Sequence, residues 1–390
     1  MSWPGGTASP PIGTVPDGAR SWLDRVLELD VGPIAHGGHC VARFDGRVVF
    51  VRHALPGERV RAVVTEDRHA SYCRADAIAV LSASPDRVDP GCAWARAGGC
   101  GGCDFQHVAP EAQRRLKGQV LAEQLRRLAG VDRVVEVEPL PGGPLGWRHR
   151  VRLAVGADGV PGLRAHRSHD VIPVAGCPLT PDGMLDEALS RRWPPGRDLE
   201  VVSDEVQRVG GRRWRVPPGS FWQAHPALPA ALCAALREWT EPVPGGQAWD
   251  LYGGAGLLAV VLAELVGPDG SVTVVESDAA AVRAGQDALA DLPWVRWRVG
   301  RVERSLARLP RRPDVVVADP PRAGLGRAVA SALASVGPSR LVLVACDPAA
   351  LARDTALLAQ GGYRLAALRA FDAFPMTHHL EAVALFIPAG

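Results

Sequence analysis

Lysine is nearly missing from this 390-residue chain: of 44 lysines and arginines, only Lys117 is a lysine. The chain also lacks a dominant charge, since its formal net charge is +2. Any surface for a polyanion must therefore come from local arginine clusters, whose planar guanidinium suits phosphate. It has no run of about 18 apolar residues, which a membrane-spanning helix requires. No secretory signal is legible at its start, and no internal repeat is evident. A cytoplasmic monomer without membrane association is the expectation. Apolar content of 47% with 22% charged residues fits a globular chain long enough for two or three cores.

The order of patterns predicts four segments. Residues 1–20 (MSWPGGTASPPIGTVPDGAR) are too rich in Pro, Gly and small polar residues to repay ordering, and are expected to be a disordered tail. Residues 21–82 read as short strands with a hairpin signal at Asp45-Gly46, predicting a small five-stranded, OB-like β-barrel of a kind that often binds oligonucleotides. Residues 83–219 predict a central α+β domain. It has a cysteine-rich loop at 89–107 and a helix over 109–129, where Leu116, Val120, Leu121 and Leu125 recur at helical spacing; that helix can pack on the next domain. WRHRVRLAV and the basic loop Arg164–His169 follow. Over residues 220–390 apolar strands alternate with helices, the mark of a parallel, doubly wound sheet.

Cysteine is not scarce, and its eight residues fall into two groups. Cys40, Cys73 and Cys233 are scattered and read as core residues. Cys92, Cys100 and Cys103 form C-x7-C-x2-C in a glycine-rich loop, with Cys177 farther on. In a reducing compartment clustered thiols favour metal or redox chemistry over disulfides. An iron–sulfur cluster, a structural zinc and free thiols all remain compatible with the spacing.

QAWDLYGGAGLLAVVLAELV reads as strand, glycine turn and helix, followed by a strand ending in Glu276. Gly254-Ala-Gly256-Leu-Leu-Ala259 fits the loose dinucleotide pattern. Alone it admits a nicotinamide or flavin oxidoreductase as readily as an S-adenosylmethionine enzyme. Three further strand ends narrow the choice. Asp319-Pro320-Pro321-Arg322 and Cys346-Asp347-Pro348 each follow an apolar strand, and Glu381 begins the last one. Strand ends of a parallel sheet share one rim, and an antiparallel last strand would start there. A thiol, two carboxylates and a nucleoside loop then meet in one cleft. C5 of uracil is too weak a nucleophile to take a methyl group directly, but thiolate addition at C6 makes it an enolate carbon. A base must then remove the C5 proton. Cys346 as nucleophile and Glu381 as base match that division, with His378 and His379 as rival bases.

GHCVARFDGRVVFVRHALPGERV, GGCGGCDFQH, GSFWQAHP, DLYGGAG, DPPRAGL, ACDPAALARD and HHLEAVAL together resemble the bacterial 23S rRNA uracil-C5 methyltransferases. Members of that family carry an N-terminal TRAM domain and a [4Fe-4S] cluster. The resemblance implies an α/β protein with a C-terminal Rossmann-like S-adenosylmethionine methyltransferase sheet, an N-terminal TRAM barrel and a central domain holding the cluster on Cys92, Cys100, Cys103 and Cys177. It places Gln223, Tyr252, Gly254, Glu276 and Asp319 around S-adenosylmethionine, Cys346 and Glu381 in the chemistry, and Phe221 against the target base. RNA, as 23S rRNA or alternatively tRNA, is the implied partner. Arg148, Arg150, Arg164 and Arg167, Lys117, and Arg47, Arg52 and Arg68 of the barrel are its candidate contacts. The family loop carries Cys where this chain has Gly253, and its first two cluster cysteines are closer together.

Overall fold

The structure, a computed structural model, describes residues 21–310 and 312–390; the expected tail, 1–20, lies outside them. The chain divides into two compact units. One runs to Gln113 and takes in Arg164–His169 and Met376–His378, and the other holds the remainder. The segment 83–219, expected as a domain of its own, is thus shared between them.

In the first unit, strands β1 (Val26–Asp30), β2 (Cys40–Phe44), β3 (Arg47–Arg52), β4 (Arg59–Glu66) and β5 (Tyr72–Ser82) form one sheet in the order β1-β4-β5-β3-β2. Its sequence alternates: Leu27 and Leu29 point in and their neighbours out, as do Val60, Ala62 and Val64. Asp45 and Gly46 both have positive φ, the geometry a two-residue hairpin turn demands. After β1 the chain bonds to β2, with Gly32 N–H donating to Val41 O at 2.7 Å, so the sheet curls into a half-barrel. Cys40 and Cys73 are buried in it, and Cys233 is buried in the second unit.

In the second unit, β6 (Val137–Glu138) adds to a large sheet. Strands β7 (Arg150–Val155), β8 (Pro161–Arg164), β9 (Val171–Pro173) and β10 (Asp198–Val202) form a small one, and β11 (Val206–Val209) pairs with β12 (Arg212–Arg215) as a hairpin. The remaining strands are β13 (Gln247–Leu251), β14 (Ser271–Glu276), β15 (Val295–Val299), β16 (Val315–Ala318), β17 (Arg340–Ala345), β18 (Tyr363–Phe371) and β19 (Glu381–Pro388). The large sheet runs β15-β14-β13-β16-β17-β19-β18-β6. Its first five strands are parallel, and β19 is antiparallel to both neighbours. Helices cover both faces, which explains the unbroken apolar runs VVVA in β16 and LVLVA in β17. The helix Pro110–Gln124, extended by a π-helical turn to Ala129, buries Leu121 and Leu125 against the face that also holds Trp249 and Leu343. No helix of the described residues is long and apolar enough to cross a membrane.

Candidate active site

Strand parity decides where the reactive side chains go, because alternate residues of a strand face opposite layers. Ala248 packs into one apolar layer, whereas Trp249 and Leu251 face the other. Asp250 therefore shares the face of Ala248. The same alternation sends Glu276 with Val272 and Val274, Asp319 with Val315 and Val317, Cys346 with Val342 and Val344, and Glu381 with Val383 and Leu385. Five strands thus contribute four carboxyls and one thiol to one side of one rim. Across β17 and β19, Ala345 is opposite Ala382, so Cys346 and Glu381 take the next opposed positions. That pairing exists only because β19 runs backwards.

The nucleoside loop sits beside them. Between β13 and the helix Leu257–Val266, Tyr252, Gly254 and Gly256 all have positive φ. A Cβ on Gly256 would lie 2.6 Å from Trp297 Cη2, and one on Gly253 would lie 2.5 Å from Val274 Cγ1 and 2.9 Å from the Asp250 carboxyl carbon. A side chain at 253 would crowd both Val274 and the Asp250 carboxyl, so glycine fits this loop. Glu276 closes the loop: its Oε2 accepts the Gly254 N–H at 3.0 Å and its Oε1 the Asp278 N–H at 2.7 Å. Asp347 caps the helix after Cys346, accepting the Ala350 N–H at 2.7 Å, with Pro348 at the first helical position.

A pocket opens here, lined by Phe221, Gln223, Asp250, Tyr252, Gly254 and Asp319 among others. Its floor is acidic and desolvated. Asp250 is buried, and neither carboxylate oxygen has a hydrogen-bond partner. Burial, and then the charge of Asp319, push it up to about 8. Asp319 is pushed up to about 7 by burial, with Gln223 Nε2 donating to its Oδ2 at 3.3 Å. Burial and Asp319 hold Glu381 well above the usual carboxylate range. Burial, then the Glu381 charge, push the Cys346 thiol up to about 12. Arg322 opposes both shifts, because its positive charge favours thiolate and carboxylate. Such an acidic floor is built for a cation. Asp250 is not legible as a site residue from sequence, where it is one acid inside the apolar strand QAWDL.

Among the candidate RNA contacts, Phe221 is 64% exposed at the edge of the pocket. Arg150 is committed inward, donating to Glu200 Oε1 at 3.1 Å and to Ser220 O, and Arg148 is half-buried. Lys117 requires correction: it is 1% exposed, pairs with Asp372 at 2.6 Å and cannot reach a phosphate. An amphipathic helix offers no sequence sign of which polar residue turns inward. In the first unit Arg167 is exposed and pairs with Glu66 at 3.2 Å, and Arg68 is exposed. Arg47 bonds to Asp67 and stacks on Trp22, and Arg52 is buried against Asp76 and Asp104. Both barrel arginines are structural.

The cysteine loop lies in the first unit. Cys100 Sγ accepts the Gly102 N–H at 3.3 Å, and Cys103 Sγ accepts from Gln106 Nε2 at 3.2 Å. Gln106 Oε1 takes the Cys92 N–H at 3.1 Å, so one side chain ties two thiol-bearing residues. Arg164 O accepts the Gly101 N–H at 3.0 Å, which sets the basic loop against this one. Cys177 belongs to the second unit and is half-buried. Among the described residues no group of three or more His, Cys, Asp or Glu is arranged to hold a metal ion.

The sheet and its acidic nucleoside pocket define an S-adenosylmethionine-dependent methyltransferase fold, and comparisons with known proteins agree. Residues 24–78 match the TRAM domain model, and residues 311–388 match the tRNA (uracil-5-)-methyltransferase model. An "Uncharacterized RNA methyltransferase" of Streptomyces avermitilis is 43% identical, over 93% of this chain and 98% of its own length. The 23S rRNA (uracil(1939)-C(5))-methyltransferase RlmD of Alkalilimnicola ehrlichii is 32% identical, over 92% and 96%. The crystal structure of a Pyrococcus abyssi tRNA (uracil-54, C5)-methyltransferase with S-adenosyl-L-homocysteine superposes with a TM-score of 0.67 at 21% identity, over 93% of this chain and all of that one. The chain belongs to the TRAM-domain RNA (uracil-C5)-methyltransferase family, and it is an RNA (uracil-C5)-methyltransferase.

Proposed function

We propose that this protein methylates C5 of a uridine in 23S rRNA, with Cys346 as nucleophile and Glu381 as base. The opposed placement of those two residues beside the nucleoside pocket carries the reading. The pocket fits S-adenosylmethionine: the partnerless Asp250 carboxylate and Asp319 suit its positive charges, and Glu276, at the end of the second strand, suits ribose hydroxyls. When bound, the cofactor supplies a sulfonium methyl group to the C5 carbon and departs as S-adenosylhomocysteine. Cys346 Sγ, as thiolate, first bonds to C6 and leaves an enolate at C5. After methylation the Glu381 carboxylate takes the C5 proton. The C6–Sγ bond then breaks, C5=C6 re-forms and the thiolate is regenerated. Arg322 assists by favouring the thiolate. Phe221 is exposed where a uracil turned out of its stack would rest on an aromatic ring.

The rRNA assignment draws on the RlmD relatives; mapping 5-methyluridine in rRNA and tRNA from a strain lacking the gene tests it. A [4Fe-4S] cluster on Cys92, Cys100, Cys103 and Cys177 is supported by the resemblance and by the N–H donors already aimed at Cys100 and Cys103. The two catalytic roles separate in variants. Cys346→Ala gives neither product nor covalent complex. Glu381→Gln accumulates a methylated RNA–protein adduct that survives denaturing electrophoresis. Normal turnover by Glu381→Gln, with trapping by His379→Ala, would move the base to His379.

A further inference from the structure

Between β12 and the helix Leu228–Trp239 lies the turn that brings Phe221 and Gln223 to the pocket. Phe221 is exposed and has little packing of its own, so its neighbours must hold it. Both neighbours are buried. Trp222 packs on Trp214, with ring centroids 5.5 Å apart. Ser220 is held by hydrogen bonds instead: its Oγ donates to Asp278 Oδ2 at 2.5 Å, and its carbonyl accepts from Arg150 Nη1. The N–H of Gly219 donates to Glu200 Oε2 at 2.6 Å, and Glu200 is in turn paired with Arg150 at 3.1 Å. All of these residues belong to the second unit.

Asp278 lies two positions after Glu276 and has two duties. It caps the helix Ala279–Ala288, its Oδ1 accepting the Ala280 N–H at 2.8 Å. A cap needs only one oxygen, and serine would supply it as well. The second oxygen does nothing for the helix and is given to Ser220. That bond, first among the causes, holds the Asp278 carboxyl below its usual range, so the acceptor is ionised near neutrality; hydrogen bonds to charged acceptors are the stronger kind. The turn carrying Phe221 is thereby hung from Glu276–Asp278, the segment placed for the cofactor ribose.

We propose that Ser220 and Asp278 are positioning residues for the target uracil: their hydrogen bond fixes the backbone beside Phe221 and so sets the ring on which the base rests. The proposal rests on the reading of Phe221 as the stacking surface. A ring free to swing stacks poorly, and a misplacement of about 1 Å in a positioning group can cost on the order of a hundredfold. The loss should fall on RNA and spare the cofactor. Glu276 stays held by the N–H groups of Gly254 and Asp278, backbone donors that no side-chain change removes, and Gln223 lies beyond the anchor at Trp222.

The test uses the full-length protein and RNA from a strain lacking 5-methyluridine. Methyl transfer is followed against RNA concentration, and S-adenosylhomocysteine binding by calorimetry. Rates are counted per S-adenosylhomocysteine-binding site, so loss of folded protein does not mimic the effect. In Ser220→Ala, kcat/KM for RNA should fall about fivefold or more, with the Kd for S-adenosylhomocysteine within about twofold of wild type. Asp278→Ser keeps the helix cap but is too short to reach Ser220 as well. It should show the same fall, and adding Ser220→Ala to it should bring no further loss, because both changes remove one interaction. Asp278→Asn has the shape of aspartate, can cap with its oxygen and donate its amide to Ser220 Oγ, and should recover to within about threefold of wild type. A kcat/KM within about twofold of wild type in Ser220→Ala, or losses that multiply in the double variant, overturns the proposal. Phe221→Ala run alongside separates the two readings. If it lowers kcat/KM and Ser220→Ala does not, positioning alone fails. If it leaves kcat/KM unchanged, the stacking assignment fails and the proposal falls with it.

Discussion

Replacing Asp250 by Asn should make the protein more stable near neutrality and weaken its hold on S-adenosylmethionine. Asp250 is buried without a partner and pushed up to about 8, so the folded protein keeps it mostly neutral at pH 7. The unfolded chain ionises it above about pH 4. A raised folded value means that its contribution to stability is complete below pH 4 and is lost as pH rises through about 8. From pH 4 to 7 the loss spans about three pH units at about 1.4 kcal/mol each, or roughly 4 kcal/mol, and reaches roughly 5 kcal/mol near pH 8. Asparagine does not titrate and escapes that loss, while its unsatisfied buried amide gives back about 1–3 kcal/mol. The variant should gain about 1–4 kcal/mol at pH 7–8, whereas at pH 5 it should gain nothing and lose up to about 2 kcal/mol. Urea denaturation at pH 5 and pH 8 reads the difference as a shift in midpoint. Calorimetry should find S-adenosylmethionine binding weakened by about tenfold or more, because the bound cation favours the ionised form of Asp250 and asparagine cannot supply that charge-assisted partner. A variant that follows the wild-type pH dependence, or loses stability at pH 8, would refute the claim that this carboxyl is buried neutral and unpaired.

Lys117→Met should leave Asp372 as a buried, unpaired carboxylate and cost about 3–5 kcal/mol by thermal or chemical unfolding; Lys117→Met with Asp372→Asn should recover most of it, and failure to do so would locate the role of Lys117 elsewhere. Protein purified without oxygen should be brown, absorbing broadly near roughly 400 nm. Cys100→Ser should lose that colour together with folding yield, whereas a colourless wild type holding stoichiometric zinc would replace the cluster assignment.

Local patterns in the sequence settled the secondary structure and the reactive rim. The Asp45-Gly46 turn, the alternating half-barrel strands and the apolar runs of β16 and β17 each follow from neighbouring residues. Cys346, Asp319 and Glu276 were legible as strand ends because a parallel sheet collects all such ends at one edge. Three things were not local, and the tertiary structure decided them. The insertion of β19 backwards beside β17 is a choice of strand order, and it alone puts Glu381 opposite Cys346. The inward turn of Lys117 depends on an aspartate 255 positions away, and the internal bonds of Arg47 and Arg52 likewise depend on the folded sheet. Charge and composition cannot distinguish a solvated cation from a buried one, because burial is fixed by what packs above it. Asp250 is the clearest case. In the sequence it is one acid in a strand, and only a loop without a side chain at Gly253, folded back over it, removes the water that would have kept it charged.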